Sequence, residues 1–191
     1  MKILSLQDAA LSTKEFSHLF EISTLPAAFV ENQALDWRVR DGYSNAGTLL
    51  VGDLRVMKSS TAIVEIHPFP EWLVEILQPG QQVGKAYAIV PNWSIERLER
   101  IKSKAWEEKL SCIEKHLQET SADEWLAITY QPGVCIKIPA YVPHEFLAVV
   151  KEGEIHPYLQ CFEPNFEFLS ESLGINPTAL FSVKEVQMPI P

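Results

Sequence analysis

Two periods divide the chain. Short runs in which apolar residues alternate or crowd together recur from Thr48 to Phe162, and one stretch between them follows a period nearer four. Thr48–Val51, Leu54–Met57, Thr61–His67 and Ala86–Val90 read as strands, set apart by turn signals such as Asp41-Gly42, Asn45-Ala46-Gly47 and Pro79-Gly80. Strands resume at Glu124–Thr129 and continue through Val134–Ile138, Glu145–Val150 and Ile155–Phe162. Between the two groups, Ile95, Leu98, Ile101, Ala105, Leu110, Ile113 and Leu117 recur at helical spacings with charges between them. That stripe predicts an amphipathic helix over 94–118, capped by Asn92 or Ser94. Ser12-Thr13-Lys14-Glu15 is a capping box flanked by Leu11 and Phe16, which predicts a helix over 13–20. A last helix is expected over 166–173, closed by Gly174.

Many short strands at regular spacing favour a closed barrel or a double-sheet sandwich over a parallel α/β sheet. With 191 residues the chain matches one ordinary domain, 1–191, carrying the 94–118 helix as an insertion. The insertion's apolar stripe demands cover, from the barrel or from a partner chain. Apolar residues at 47% and charged residues at 21% are globular values. Sixteen Lys and Arg against 25 Asp and Glu leave a net charge of −9, which argues against a nucleic-acid binder. Cys112, Cys135 and Cys161 form no CxxC pair, so a zinc ribbon or a disulfide framework is not expected. The opening apolar run is too short for a signal peptide, and no run reaches the length of a membrane span. A soluble, cytoplasmic protein without membrane contact is the expectation.

The segment from Gly133 to His144 carries the chemistry most plainly: a glycine turn, an alternating strand, a Pro139–Pro143 turn, then a histidine opening the next strand. This resembles the second cupin motif at Gly133, Pro139 and His144, with Tyr141 at the motif's second glycine and Ala148 at its asparagine. The first cupin motif has a weaker counterpart, with Glu65 in place of its first histidine, then His67, then Glu71 at the motif's glutamate. A strand period of two sets Glu65 and His67 on one face. Together, Glu65, His67, Glu71 and His144 form a mixed nitrogen and oxygen set able to hold a hard divalent metal. The other reading of the two histidines is that they line the barrel without metal.

Several stretches together are similar to ureidoglycolate lyases, also called ureidoglycolate hydrolases. They are Leu11–Ile22, Leu54-Arg55-Val56, Glu65-Ile66-His67-Pro68, Ala86–Pro91, and Gly133 to His144 with Leu147. The resemblance implies a mainly β, cupin-like double-stranded barrel, a homodimer, and acid–base elimination on a small anionic ureido compound. Such a reaction needs a base, an acid and a cation for the carboxylate. His144, His67 and Glu65 would supply the first two. Lys137, Arg55 and Lys85 would supply the cation, and Tyr87 and Tyr141 would line the substrate site. The favoured reading needs no cofactor. Two alternatives stand beside it: a non-catalytic cupin module binding a small molecule, and a metal-dependent cupin enzyme.

Overall fold

The computed structural model describes residues 1–5, 13–23, 42–44, 47–54, 61–75, 85–129, 135–149, 156–162 and 182–187. Twelve strands and three α-helices lie within them. The strands are β1 (Lys2–Leu4), β2 (Glu21–Ser23), β3 (Gly42–Ser44), β4 (Gly47–Leu54), β5 (Thr61–Ile66) and β6 (Glu71–Glu75). After them come β7 (Lys85–Pro91), β8 (Trp125–Thr129), β9 (Cys135–Ile138), β10 (Glu145–Val149), β11 (His156–Phe162) and β12 (Ser182–Gln187). The helices are α1 (Thr13–Phe16), α2 (Ile95–Lys102) and α3 (Trp106–Glu119).

Strand order defines the architecture. One sheet runs β2-β9-β6-β11-β4-β3 and another β1-β8-β7-β10. The β12–β5 pair joins the second through a bridge between Glu65 and His144. Numbering β4 to β11 as one to eight, the first sheet holds strands one, eight, three and six in that order. The second holds two, seven, four and five. Consecutive strands thus alternate between sheets except at the β7–β8 hairpin, which is the eight-stranded jelly roll shared by cupins. The barrel or sandwich expected from the strand spacing, and the mainly β, cupin-like barrel implied by the resemblance, agree with the fold the register describes.

The core lies between the sheets and under the insertion. Ile66, Ala88, Ile128, Ile136 and Ile138 are buried in one cluster with Leu98, Ile101, Ile113 and Leu117 of the helices. The inserted helix differs from its expectation: it is two helices, broken over Ser103–Ala105. The Ser103 amide closes α2 on the carbonyls of Glu99 and Ile101, and Ala105 is extended as the N-cap of α3. Ala105 is consequently exposed, and Ile95 is half-exposed at 50%, so neither belongs to the buried stripe. The five-residue step from Ala105 to Leu110 marks the change of phase. Ser94 caps α2 by accepting a hydrogen bond from the Arg97 amide at 3.3 Å, one of the two caps expected. Ser94→Ala should lower the urea-unfolding free energy by about 0.5–1 kcal/mol.

Other departures are matters of length. Helix α1 stops at Phe16, where the Leu19 and Phe20 amides both donate to the Phe16 carbonyl in a turn. Five strands lacked a clear sequence signal: β1, β2, β3, β6 and β12. The expected helix over 166–173 and the expected strand beyond Leu54 lie outside the described residues. No helix among those described is long and apolar enough to cross a membrane.

Candidate metal and acid–base site

Two proline-bounded turns build the site. Strand β5 ends at Ile66, and the bend at Pro68-Phe69 starts β6 at Glu71. Pro68 has no amide to give a ladder and its φ is fixed, which suits the bend by which the chain leaves β5. This brings His67 Nε2 to 3.0 Å from Glu71 Oε2. The second turn, Pro139 to Pro143, delivers His144 to the head of β10, with its Nε2 2.8 Å from the same oxygen. The turns are tied together: the Tyr141 amide donates to the His67 carbonyl at 2.9 Å. Below them, Glu65 and His144 exchange backbone hydrogen bonds of 2.7 and 3.1 Å.

Tyr141 takes the left-handed conformation at φ 67°. A glycine would do so freely, whereas a residue with a Cβ pays about 1–2 kcal/mol. The amine of Lys109, on the inserted helix α3, sits 4.5 Å from the centre of the Tyr141 ring.

The three side chains are fully sequestered, with His67 at 1% exposure and Glu71 and His144 at 0%. Phe69 stacks on His67 at 4.7 Å, and Phe146 lies 5.4 Å from His144. The imidazole centres themselves are 4.9 Å apart and nearly perpendicular. Each ring is fixed from behind: His67 Nδ1 lies 2.6 Å from the Phe69 carbonyl oxygen, and His144 Nδ1 lies 2.8 Å from that of Val142. Carbonyls only accept, so both Nδ1 atoms donate, and both Nε2 atoms face the centre.

Burial and charge set the protonation states. Burial pushes the Glu71 carboxyl up, but the charge and hydrogen bond of His144 and those of His67 outweigh it and hold the group at about 2. Burial pulls His144 down, yet the Glu71 carboxylate, with help from Glu65, raises it to about 9. His67 is net lowered, because burial exceeds the support of Glu71. Half-buried Glu65 is raised by burial and by the Glu71 charge. At neutral pH the centre is therefore an imidazolium–carboxylate pair beside a neutral imidazole. With its Nδ1 proton committed to Phe69, neutral His67 presents a lone pair to the carboxylate oxygen.

That disposition fits a divalent cation. The three donor atoms of His67, Glu71 and His144 lie within 4.8 Å of one another. Two ligands about 2.1 Å from one cation at a right angle stand about 3.0 Å apart, close to the separations from Oε2 seen here. Backbone carbonyls orient both imidazoles in the manner of metal-ligating histidines. Two nitrogens and one carboxylate suit iron, manganese or zinc. Glu65, the fourth residue of the expected ligand set, is not among the converging donors; it adjoins His144 through the backbone bridge and its charge.

The expected substrate residues are dispersed. Lys137 pairs with Trp72 across β9 and β6, out of phase with the Glu71–Ile138 pair, so it stands on the opposite face from Glu71. Its amine lies over the Trp72 ring at 5.5 Å and 3.5 Å from Glu21. Tyr87 pairs with Leu147, one step out of phase with Ala88 and Phe146, which share the face of His144. It is packed in the core. Lys85 opens β7 opposite Val149, and Arg55 lies outside the described residues. Among the expected substrate residues that are described, Tyr141 touches the site through its backbone. The Lys137→Ala variant should match the wild type in metal affinity within about twofold, since exposed ion pairs contribute at most about 1 kcal/mol. Neither Cys112 nor Cys135 is among the converging donors: burial pushes Cys135 up to about 12, and Cys112 is a free, half-buried thiol.

No family model matches the chain, and no curated protein matches it. Among solved structures, acireductone dioxygenase from Bacillus anthracis, with a cadmium ion in its active centre, aligns at 12% identity and a TM-score of 0.37. That alignment covers 83% of this chain and 84% of the other. Oxalate decarboxylase from Lactobacillus farciminis aligns at 15% identity and a TM-score of 0.31, covering 74% of this chain and 40% of that one. The Bacillus subtilis oxalate decarboxylase gives 14% identity, a TM-score of 0.31, and 72% and 35% coverage. The chain spans 40% and 35% of the length of these two decarboxylases. The jelly-roll assignment rests on the strand register described above.

Proposed function

We infer that this chain is a metal-dependent cupin-type enzyme that binds a small anionic molecule at a divalent cation held by His67, Glu71 and His144. One observation carries this reading: two imidazoles, each committed at Nδ1 to a backbone carbonyl, aim Nε2 at one buried carboxylate oxygen. A cation there would take the free lone pair of His67, the carboxylate, and the Nε2 of His144 in place of its proton, and would supply Lewis-acid or redox chemistry to a bound oxyanion. Phe69 and Phe146 exclude water around the imidazoles and so strengthen the electrostatics between them. Glu65 stands beside His144 with a raised carboxyl, placed to hold or release a proton next to the centre.

A second reading is favoured by the charge state of His144. An imidazolium paired with a carboxylate at neutral pH is an acid–base pair without metal, as the ureidoglycolate lyase resemblance requires. Elemental analysis of the purified full chain, followed by a urea-release assay on ureidoglycolate with and without added Mn(II), separates the two. The metal reading expects bound metal near stoichiometry and activity lost with chelator. Urea release by metal-free protein at an undiminished rate would replace it with the lyase reading.

A further inference from the structure

We propose that Tyr141 and Lys109 are positioning residues for the triad, so that the inserted helix α3 sets the geometry of the buried centre. The chain of contacts is continuous. Lys109 stands in the first turn of α3, its amide bonded to the Ala105 carbonyl at 2.8 Å. Its amine lies 4.5 Å from the Tyr141 ring centre, within cation–π range. Tyr141 holds φ 67° and donates its amide to the His67 carbonyl. One residue further on, the Val142 carbonyl accepts from His144 Nδ1. The turn that aims both imidazoles thus contains a disfavoured backbone conformation, and the ring bearing that conformation is held by a cation from another element. A glycine at 141 would remove the strain and the tether together, whereas the tyrosine makes the turn depend on α3.

The two effects separate by substitution. Tyr141→Ala keeps the Cβ and its strain but removes the ring; Lys109→Met keeps strain and ring but removes the cation; Tyr141→Gly removes strain and ring. The inference rests on the metal reading for the first of two readouts, Co(II) titration followed by visible absorption. Tyr141→Ala and Lys109→Met should weaken Co(II) binding by about threefold to tenfold, the effect of losing a partly exposed cation–π contact. Tyr141→Gly should bind within about twofold of wild type, because glycine takes the left-handed turn without cost. In the Tyr141→Gly background, Lys109→Met should add nothing.

The second readout is amide hydrogen exchange in the metal-free full chain. Lys109→Met and Tyr141→Ala should lower protection at Tyr141 and His144 by about the same factor, while Ala127 and Ile128 of β8 keep theirs. A merely structural contact would lower protection throughout or nowhere. Wild-type protein that takes up no cobalt would overturn the metal reading, with exchange still deciding the positioning role. Unchanged exchange at Tyr141 and His144 in both variants, or a Tyr141→Gly variant as weak as Tyr141→Ala, would overturn the inference itself.

Discussion

Glu71→Gln should destabilise the metal-free protein by about 3 kcal/mol at pH 7, the usual cost of removing one partner from a buried ion pair. Glutamine keeps the volume of Glu71, so the loss isolates charge. The wild-type carboxylate, at 0% exposure, faces His144 Nε2 at 2.8 Å and His67 Nε2 at 3.0 Å. Without it His144 must either stay charged and unpaired in an apolar surround or give up its proton. The penalty should shrink as pH rises through about 9, where wild-type His144 loses its own proton. Urea unfolding at pH 7 and pH 10 measures both effects. A variant as stable as wild type at pH 7 would show that the pair contributes nothing to the fold.

The pH dependence of the wild type follows from the same groups. The folded-state pKa of His144 is raised from 6.5 to about 9, so its contribution is complete below 6.5 and disappears as pH rises through 9. The size is about 3 kcal/mol, from roughly 1.36 kcal/mol per pKa unit. The Glu71 pKa is held at about 2, so its contribution is present above 4.5 and disappears as pH falls towards 2. Both shifts describe one ion pair, and the gain is counted once. His67, lowered from its ordinary value, also costs stability below 6.5, where the unfolded chain takes up a proton that the folded chain resists. Metal-free protein should therefore be most stable near neutrality and lose stability on either side. Saturating divalent metal should flatten the alkaline limb, because His144 then coordinates as a neutral ligand. Thermal unfolding from pH 5 to 10, with and without Mn(II), tests this; a flat alkaline limb in the metal-free protein would contradict it.

The strands that alternate cleanly were legible. Thr61–Ile66, Lys85–Pro91, Trp125–Thr129, Glu145–Val149 and His156–Phe162 carry apolar residues in runs that fit a sheet buried on one or both faces. Strand β6 was not, for a reason tied to function. Its first residue, Glu71, points a carboxylate inward, so the apolar run Trp72-Leu73-Val74 reads as too short between two glutamates. A polar residue facing the core erases the periodicity that would reveal its strand. Glu71 was found through its four-residue distance from His67 instead.

The site itself divides the same way. His67 and His144 were legible because each falls at the histidine position of a cupin-like motif, His67 two residues after Glu65 and His144 five residues after Pro139. Lys137 and Tyr87 were not correctly placeable, because register, which sequence spacing does not set, decides which face each residue takes. The helix break is a third case. The run from Ile95 to Leu117 holds helical spacing on either side of Ala105; the five-residue step to Leu110 hints at a change of phase, and the Ser103 and Ala105 caps turn it into a break.

On the metal reading, the His67–Glu71–His144 centre exchanges a proton for a divalent cation. Calorimetric titration of Mn(II) into the metal-free full chain at pH 7, repeated in two buffers of different ionisation enthalpy, reads binding and proton release together. One ion should bind per chain, with about one proton released from His144 and no binding in the Glu71→Gln variant. No binding by the wild type, or equal binding by wild type and Glu71→Gln, would contradict it.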